Sequence, residues 1–319
     1  MPFIPHTQDD VSAMISAINV QNIDALFDEI PEALQAKALS KLAPGMNELE
    51  VTRSLMKREP AIKPGTCFIG AGAYEHHIPA AVWEIAGRGE FYSAYTPYQA
   101  EASQGTLQLI YEYQSIMCHL LGMDVSNASM YDGATALVES VLMAIRIKRG
   151  KATRVVVPTT LHPRIRDVFK TFLLRQDIEL EEWAYCTDTG QLDTTELDKI
   201  SGDGLAAIII PQPNFFGVLE DVNAINDKAK ALGALTIAYV NPMAMALLKE
   251  PGDWGNEGVD IVCGEGQPLG VPLASGGPYF GFMCCRKAHV RQMPGRIIGR
   301  TEDDKGKFTG FSFIENHLL

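Results

Sequence analysis

Gly264-Glu265-Gly266-Gln267-Pro268-Leu269-Gly270 follows the strand-like run Asp260-Ile261-Val262-Cys263 and carries no amine, for no lysine occurs between Lys249 and Lys287. What that absence means depends on the elements around it. Downstream, Tyr279 to Cys284 reads as another strand, within an apolar run to Cys285 whose adjacent Cys284 and Cys285 point to opposite faces. Upstream, Arg154-Val155-Val156-Val157, Ile178 to Trp183, Leu205 to Ile210 and Leu235 to Val240 read as strands. Arg164 to Leu174, Thr194 to Ile200 and Asp221 to Leu232 read as helices between them. Short, continuous apolar strands alternating with helices predict an α/β domain with a mostly parallel sheet and flanking helices.

Further upstream, Leu107 to Leu121 has the spacing of an amphipathic helix ending before Gly122, and Asp132-Gly133-Ala134-Thr135 opens a long helix that stops at Lys148-Arg149-Gly150. The first segment, Thr7 to about Arg58, is helical in character. Asp9 or Asp10 is the expected cap of a helix through Ile18, Asn22-Ile23-Asp24 the start of another, and Leu49, Thr52, Leu55 and Met56 keep helical spacing. The expected organisation is therefore an N-terminal helical arm at 1–62, packed on a partner or on its own domain, and a large domain at 63–300. Thr301 to Lys307 is charged and loop-like, and residues 301–319 read as a truncated remnant of the link to a C-terminal small domain that is largely missing.

With 319 residues there is interior for a substantial core. A net charge of −12, from 27 basic and 39 acidic side chains, argues against a nucleic-acid partner, which requires clustered Lys and Arg. No apolar run approaches the ~20 residues of a membrane helix, and the N-terminus lacks the pattern of a signal peptide. Six scattered cysteines form no CxxC and no zinc spacing, which is consistent with free thiols in a reducing cytoplasm and with no metal site.

Four constellations invite a chemical reading. Gly133-Ala134-Thr135 at a helix start presents backbone N–H groups and a hydroxyl suited to a phosphate; a tight capped turn explains it equally well. In aspartate-aminotransferase-type enzymes such a turn cradles the phosphate of pyridoxal phosphate (PLP). His162 follows a strand and a Pro-Thr-Thr turn, where those enzymes place a ring against the pyridine; a loop histidine bonded to backbone is the alternative, and the favoured one. Asn214 ends a buried strand, where ligands meet open α/β sheets, but a turn of Pro, Asn and Gly accounts for much of the motif. Asn241 ends the strand at Val240, where a PLP enzyme needs a carboxylate to keep the pyridine nitrogen protonated. With Gln267 in the lysine-free turn, two groups essential to PLP chemistry are missing together. The pattern is that of a PLP-type fold that does not run PLP chemistry by itself.

A last cluster, Phe91 to Gly105, combines three tyrosines with hydroxyls, amides and a carboxylate, as ligand- or partner-binding loops do; a wet, well-packed interface loop is the plainer reading, and the two are compatible. Tyr95-Thr96-Pro97-Tyr98-Gln99, Ser103-Gln104-Gly105, Asn127 to Thr135, Pro213-Asn214-Phe215-Phe216-Gly217, Gly264 to Gly270 and Arg291 to Arg296 together resemble subunit 1 of the two-subunit glycine dehydrogenase (decarboxylating), the P-protein of the glycine cleavage system. The likeness runs from the N-terminal arm to about Gly310, with Ala102 a mild departure. It implies a PLP-dependent transferase-like (fold type I) large domain. It implies an assembly that decarboxylates glycine with PLP and passes the aminomethyl group to lipoylated H-protein. PLP is then carried by subunit 2, and this chain is inactive alone. It also implies that Tyr95, Thr96, Pro97, Tyr98, Ser103 and Gln104 reach toward the partner's cofactor. The competing readings are a free-standing PLP enzyme using Lys249 or Lys287 and a non-catalytic binding protein that kept the fold.

Overall fold

The computed structural model describes residues 5–35, 42–58, 70, 72, 75–93, 105–273 and 277–315. Backbone proximity divides the chain into two units, Met1–Thr66 and Cys67–Leu319, against an expected boundary at 62/63.

In the first unit, α1 (Gln8–Ala17) is capped by Thr7, not by Asp9 or Asp10. The Thr7 Oγ1 accepts the Asp10 N–H at 3.2 Å while the Asp10 carboxylate accepts the Thr7 N–H at 2.7 Å, so Asp10 is the reciprocal member of a capping box. Asn47 and Glu50 make the same box at α2 (Glu48–Met56). The segment after Asn22 forms only a short 3₁₀ turn, Asp24–Phe27. None of the described residues of this unit is buried.

The second unit begins with two short helices, α3 (Ala80–Ala86) and α4 (Gly89–Tyr92), and continues as α5 (Gly105–Leu121), β1 (Val125–Ser126), α6 (Gly133–Ile147), β2 (Arg154–Pro158), α7 (Pro163–Leu173), β3 (Glu179–Trp183), α8 (Thr194–Leu197), β4 (Leu205–Gln212), α9 (Val222–Ala231), β5 (Leu235–Val240), β6 (Ile261–Glu265) and β7 (Gly281–Cys285). The sheet order is β1-β7-β6-β5-β4-β2-β3. Neighbours from β3 through β6 run parallel, while β7 pairs antiparallel with both β6 and β1. Strand alternation sends Val155, Val157, Ile209, Ile237 and Cys285 to the face covered by α6 and α7. Val156, Ile208, Ile210, Ala238 and Cys284 meet α5, α8 and α9 on the other. Every residue of β4 is buried, so its unbroken apolar run serves both layers. Each such isoleucine contributes about 1.5–3 kcal/mol of transfer free energy.

Most of the segment expected as a charged loop is the turn of a hairpin between β8 (Arg296–Glu302) and β9 (Phe308–Glu315), two strands the sequence reading did not assign. The Asp303 carboxylate accepts the N–H groups of Lys305 at 2.9 Å and Lys307 at 2.8 Å, and Gly306 takes φ +74°. The charged residues therefore crowd one turn, and the strands start immediately on either side. Gln114 fastens β8 to α5, donating to the Ile298 carbonyl at 3.0 Å and accepting its N–H at 2.9 Å. No helix among the described residues is long and apolar enough to cross a membrane.

Candidate functional site

A cavity of about 480 Å³ lies at the carboxyl ends of β2, β4, β5 and β6, over the amino terminus of α6. Ala134, His162, Asn214, Asn241 and Gln267, singled out separately in the sequence, all line it. The position follows from topology: parallel strands deliver their outgoing loops to one edge, and helix amino termini face the same edge.

The first turn of α6 explains why Gly133, Ala134 and Thr135 belong together. Asp132 is the N-cap: its carboxylate accepts the Thr135 N–H at 2.7 Å and the Thr135 hydroxyl at 2.9 Å. The Gly133 N–H donates to the Glu265 Oε2 at 2.8 Å. A Cβ at Gly133 would lie 2.6 Å from the Glu265 nitrogen and 2.8 Å from the Tyr239 hydroxyl, so only glycine fits under the end of β6. The Glu265 Oε1 accepts the Gln267 N–H at 3.1 Å. The carboxylate thus binds a helix-terminal amide and a turn amide at once. Burial raises its pKa, those two amide bonds oppose the rise, and neighbouring Asp132 adds to it. Glu265 was quoted in the sequence but given no role. A glutamate between two glycines at the end of an apolar strand was the available signal.

Gln267 is buried, with its backbone N–H tied to Glu265 and its side-chain amide donating to the Val271 carbonyl. The Asn241 side-chain oxygen accepts the Met243 N–H at 2.9 Å, turning the chain after β5. The His162 Nδ1 accepts the Arg164 N–H at 3.0 Å, capping α7, and its ring stands edge-on to Phe215 at 4.9 Å between centroids. His162 is thus bonded to backbone through Nδ1 while its ring also lines the cavity. Asn214 is a loop clamp: it donates to the Gly190 carbonyl at 2.8 Å and to Glu220 at 2.7 Å, and accepts the N–H groups of Phe216 at 3.0 Å and Val218 at 3.1 Å. Glu220, which the sequence reading passed over, also accepts the Leu192 N–H at 2.8 Å. Burial raises its pKa against the pull of those hydrogen bonds. Burial likewise pushes the Tyr239 phenol upward and the Cys263 and Cys285 thiols up to about 12, which makes them poor nucleophiles near neutral pH.

No lysine lines the cavity among the described residues. Tyr95, Thr96, Pro97, Tyr98, Ser103 and Gln104 lie outside the described residues. No group of His, Cys, Asp and Glu among the described residues is placed to hold a metal ion.

The family model for the glycine cleavage system P-protein matches residues 1–313. The chain is 62% identical over 322 residues to the probable glycine dehydrogenase (decarboxylating) subunit 1 of Coxiella burnetii (strain Dugway 5J108-111), covering 100% of this chain and 71% of that protein. It is 59% identical to the protein of the same description from Thioalkalivibrio sulfidiphilus (strain HL-EbGR7), covering 98% of this chain and 69% of that one. Among solved structures it resembles a glycine decarboxylase (P-protein) of the glycine cleavage system in inhibitor-bound form, with TM-score 0.80 and 36% identity over 98% of this chain and 69% of that one. A sphingosine-1-phosphate lyase from Burkholderia pseudomallei K96243 shares the fold at TM-score 0.58 and 14% identity, over 88% of this chain and 67% of that one. That family implies PLP, and the residues of this cavity do not fit it: they offer no lysine, an amide at Asn241 where the ring nitrogen needs a carboxylate, and a carboxylate at the helix terminus where a phosphate would sit. The fold, the likeness along the length of this chain and the motifs agree, and the chain belongs to the glycine cleavage system P-protein family.

Proposed function

We propose that this chain is the non-PLP-bearing subunit of a heteromeric glycine dehydrogenase (decarboxylating). In this reading a subunit 2 carries PLP, glycine is decarboxylated at the partner's site, and the aminomethyl group passes to the lipoyl group of H-protein in the cytoplasm. One pairing of observations carries the proposal. The chain is 62% identical along its whole length to a subunit 1, and its own cavity has Gln267 and Asn241 where covalent PLP chemistry requires an amine and a carboxylate.

The contribution of this chain is then positional. The cavity edge is stiffened by hydrogen bonds among its own residues. Asn214 and Glu220 lock the loop after β4, Asp132 locks α6, and His162 locks α7. A rigid scaffold of this kind suits loops that must complete a neighbouring site, because pre-formed geometry costs nothing to assemble during reaction. Tyr95, Thr96, Pro97, Tyr98, Ser103 and Gln104 are proposed as that contribution on the strength of their motif. Their phenols, hydroxyls and amide would hold the glycine carboxylate or keep water from the reacting carbon.

Co-expression with a subunit 2 homologue tests the function. Glycine–bicarbonate exchange is expected only when both chains and H-protein are present. Exchange by this chain alone, or a borohydride-reducible PLP chromophore on it, would replace the proposal with a free-standing PLP enzyme. No rise in exchange on adding this chain to subunit 2 would make it a binding protein that kept the fold.

A further inference from the structure

We propose that Glu265 is the specificity-determining group of the cavity: an internal carboxylate that takes the amino terminus of α6 and so refuses phosphorylated ligands. A helix amino terminus attracts anions through unpaired N–H groups and the positive end of the helix dipole. Here that attraction is already satisfied from within. Glu265 accepts the Gly133 N–H at 2.8 Å and Asp132 accepts the Thr135 N–H at 2.7 Å, so two carboxylates meet the first turn. The second Glu265 oxygen holds the Gln267 N–H at 3.1 Å, which fixes the turn after β6 against the helix.

The backbone makes this arrangement specific. Gly133 lets the end of β6 approach to where a Cβ would be 2.6 Å from the Glu265 nitrogen, and Gly266 packs so closely on the Phe280 ring that a Cβ there would be 2.2 Å from it. The glutamate is therefore delivered to the helix terminus by a turn with little freedom to swing away. An incoming phosphate would have to displace it, or sit beside two negative charges in a partly buried site where repulsion is weakly screened. Arg164 and Asp132 also line the cavity, so removing Glu265 leaves one cation and one carboxylate there and frees two amides. The cavity would then turn from anion-refusing to anion-accepting. The inference concerns this chain's own residues and holds whether or not a partner carries a phosphorylated cofactor.

Pyridoxine 5'-phosphate and pyridoxine make a matched pair of probes, because neither has an aldehyde to react with surface lysines and they differ only in the phosphate. Isothermal titration of the full chain is expected to show the phosphate ester binding Glu265→Ala at least about tenfold more tightly than wild type, with Glu265→Gln intermediate and pyridoxine unaffected. The glutamine variant retains an oxygen for one amide, and so provides the test should the alanine variant unfold. Equal affinity of wild type and both folded variants for the phosphate ester would overturn the proposal. A gain shared by pyridoxine would overturn it too, since the refusal would then be steric and not electrostatic.

Discussion

Glu220→Gln isolates the physics that holds the cavity rim. The Glu220 carboxylate is 6% exposed and receives only donors: the Leu192 N–H at 2.8 Å, the Asn214 amide at 2.7 Å and the Thr160 hydroxyl at 3.4 Å. Glutamine is nearly isosteric but turns one acceptor into an NH₂, which must then face a buried donor. One charge-assisted hydrogen bond, worth about 1.5–3 kcal/mol, is lost and a donor is left unmet; relief of the buried charge offsets part of this, for a net cost of about 2 kcal/mol near neutral pH. The pH dependence has a definite sign. Burial raises the Glu220 pKa above its unfolded value, so its titration contributes stability that is fully present below the unfolded value and is lost as pH rises through the folded one. Glutamine does not titrate, and the gap between wild type and variant should widen as pH falls through the raised folded pKa toward the unfolded one. Urea unfolding followed by the fluorescence of buried Trp183 and Trp254 measures that gap, and all other titrating groups cancel in the difference. A variant as stable as wild type, or a gap that narrows in acid, would refute the reasoning.

Asp260→Asn tests the opposite sign. Asp260 accepts from Lys230 at 2.7 Å and from the Thr236 N–H at 2.8 Å, with His289 at 3.4 Å; burial raises its pKa, but the bonds from His289, Lys230 and Thr236 outweigh burial and hold it low. The variant should lose about 3 kcal/mol near neutral pH, and the two urea midpoints should converge as pH falls through the folded pKa, because only the aspartate loses its charge there. Gly258→Ala should cost about 3 kcal/mol or more in the same assay, since φ is +68° and the new methyl would sit 1.9 Å from the Gly252 carbonyl oxygen and 2.0 Å from the Arg286 guanidinium. Gln267→Lys should not yield a PLP adduct: Glu265 still occupies the α6 terminus where the phosphate would sit, Asn241 still offers no carboxylate to the ring nitrogen, and peptide mapping after borohydride should find no label at 267.

Much of the architecture was legible along the chain because parallel strands covered on both faces must be apolar throughout, and runs such as Leu205 to Ile210 admit few other readings. The direction of β7 was not, since an antiparallel strand buried on both faces has the same composition as a parallel one. The charges at Thr301 to Lys307 marked the loop, but the β8–β9 pairing on either side of it was missed because it depends on inter-strand hydrogen bonding rather than residue type. Thr7 was passed over as a cap because the capping box is reciprocal, and Asp10 looks like the cap until the direction of its bond is seen.

At the cavity the division is sharper. The missing lysine at Gly264–Gly270 and the amide at Asn241 are facts of covalent chemistry, readable from residue types alone and independent of any fold. That Asn214 is held by the Gly190, Phe216 and Val218 backbone and by the Glu220 carboxylate, that the His162 Nδ1 caps α7, and that Glu265 reaches Gly133 across 132 positions of chain, could come only from tertiary structure. A side chain's donors and acceptors are fixed by its type, but which of them remain for a ligand depends on neighbours that folding brings from elsewhere in the chain.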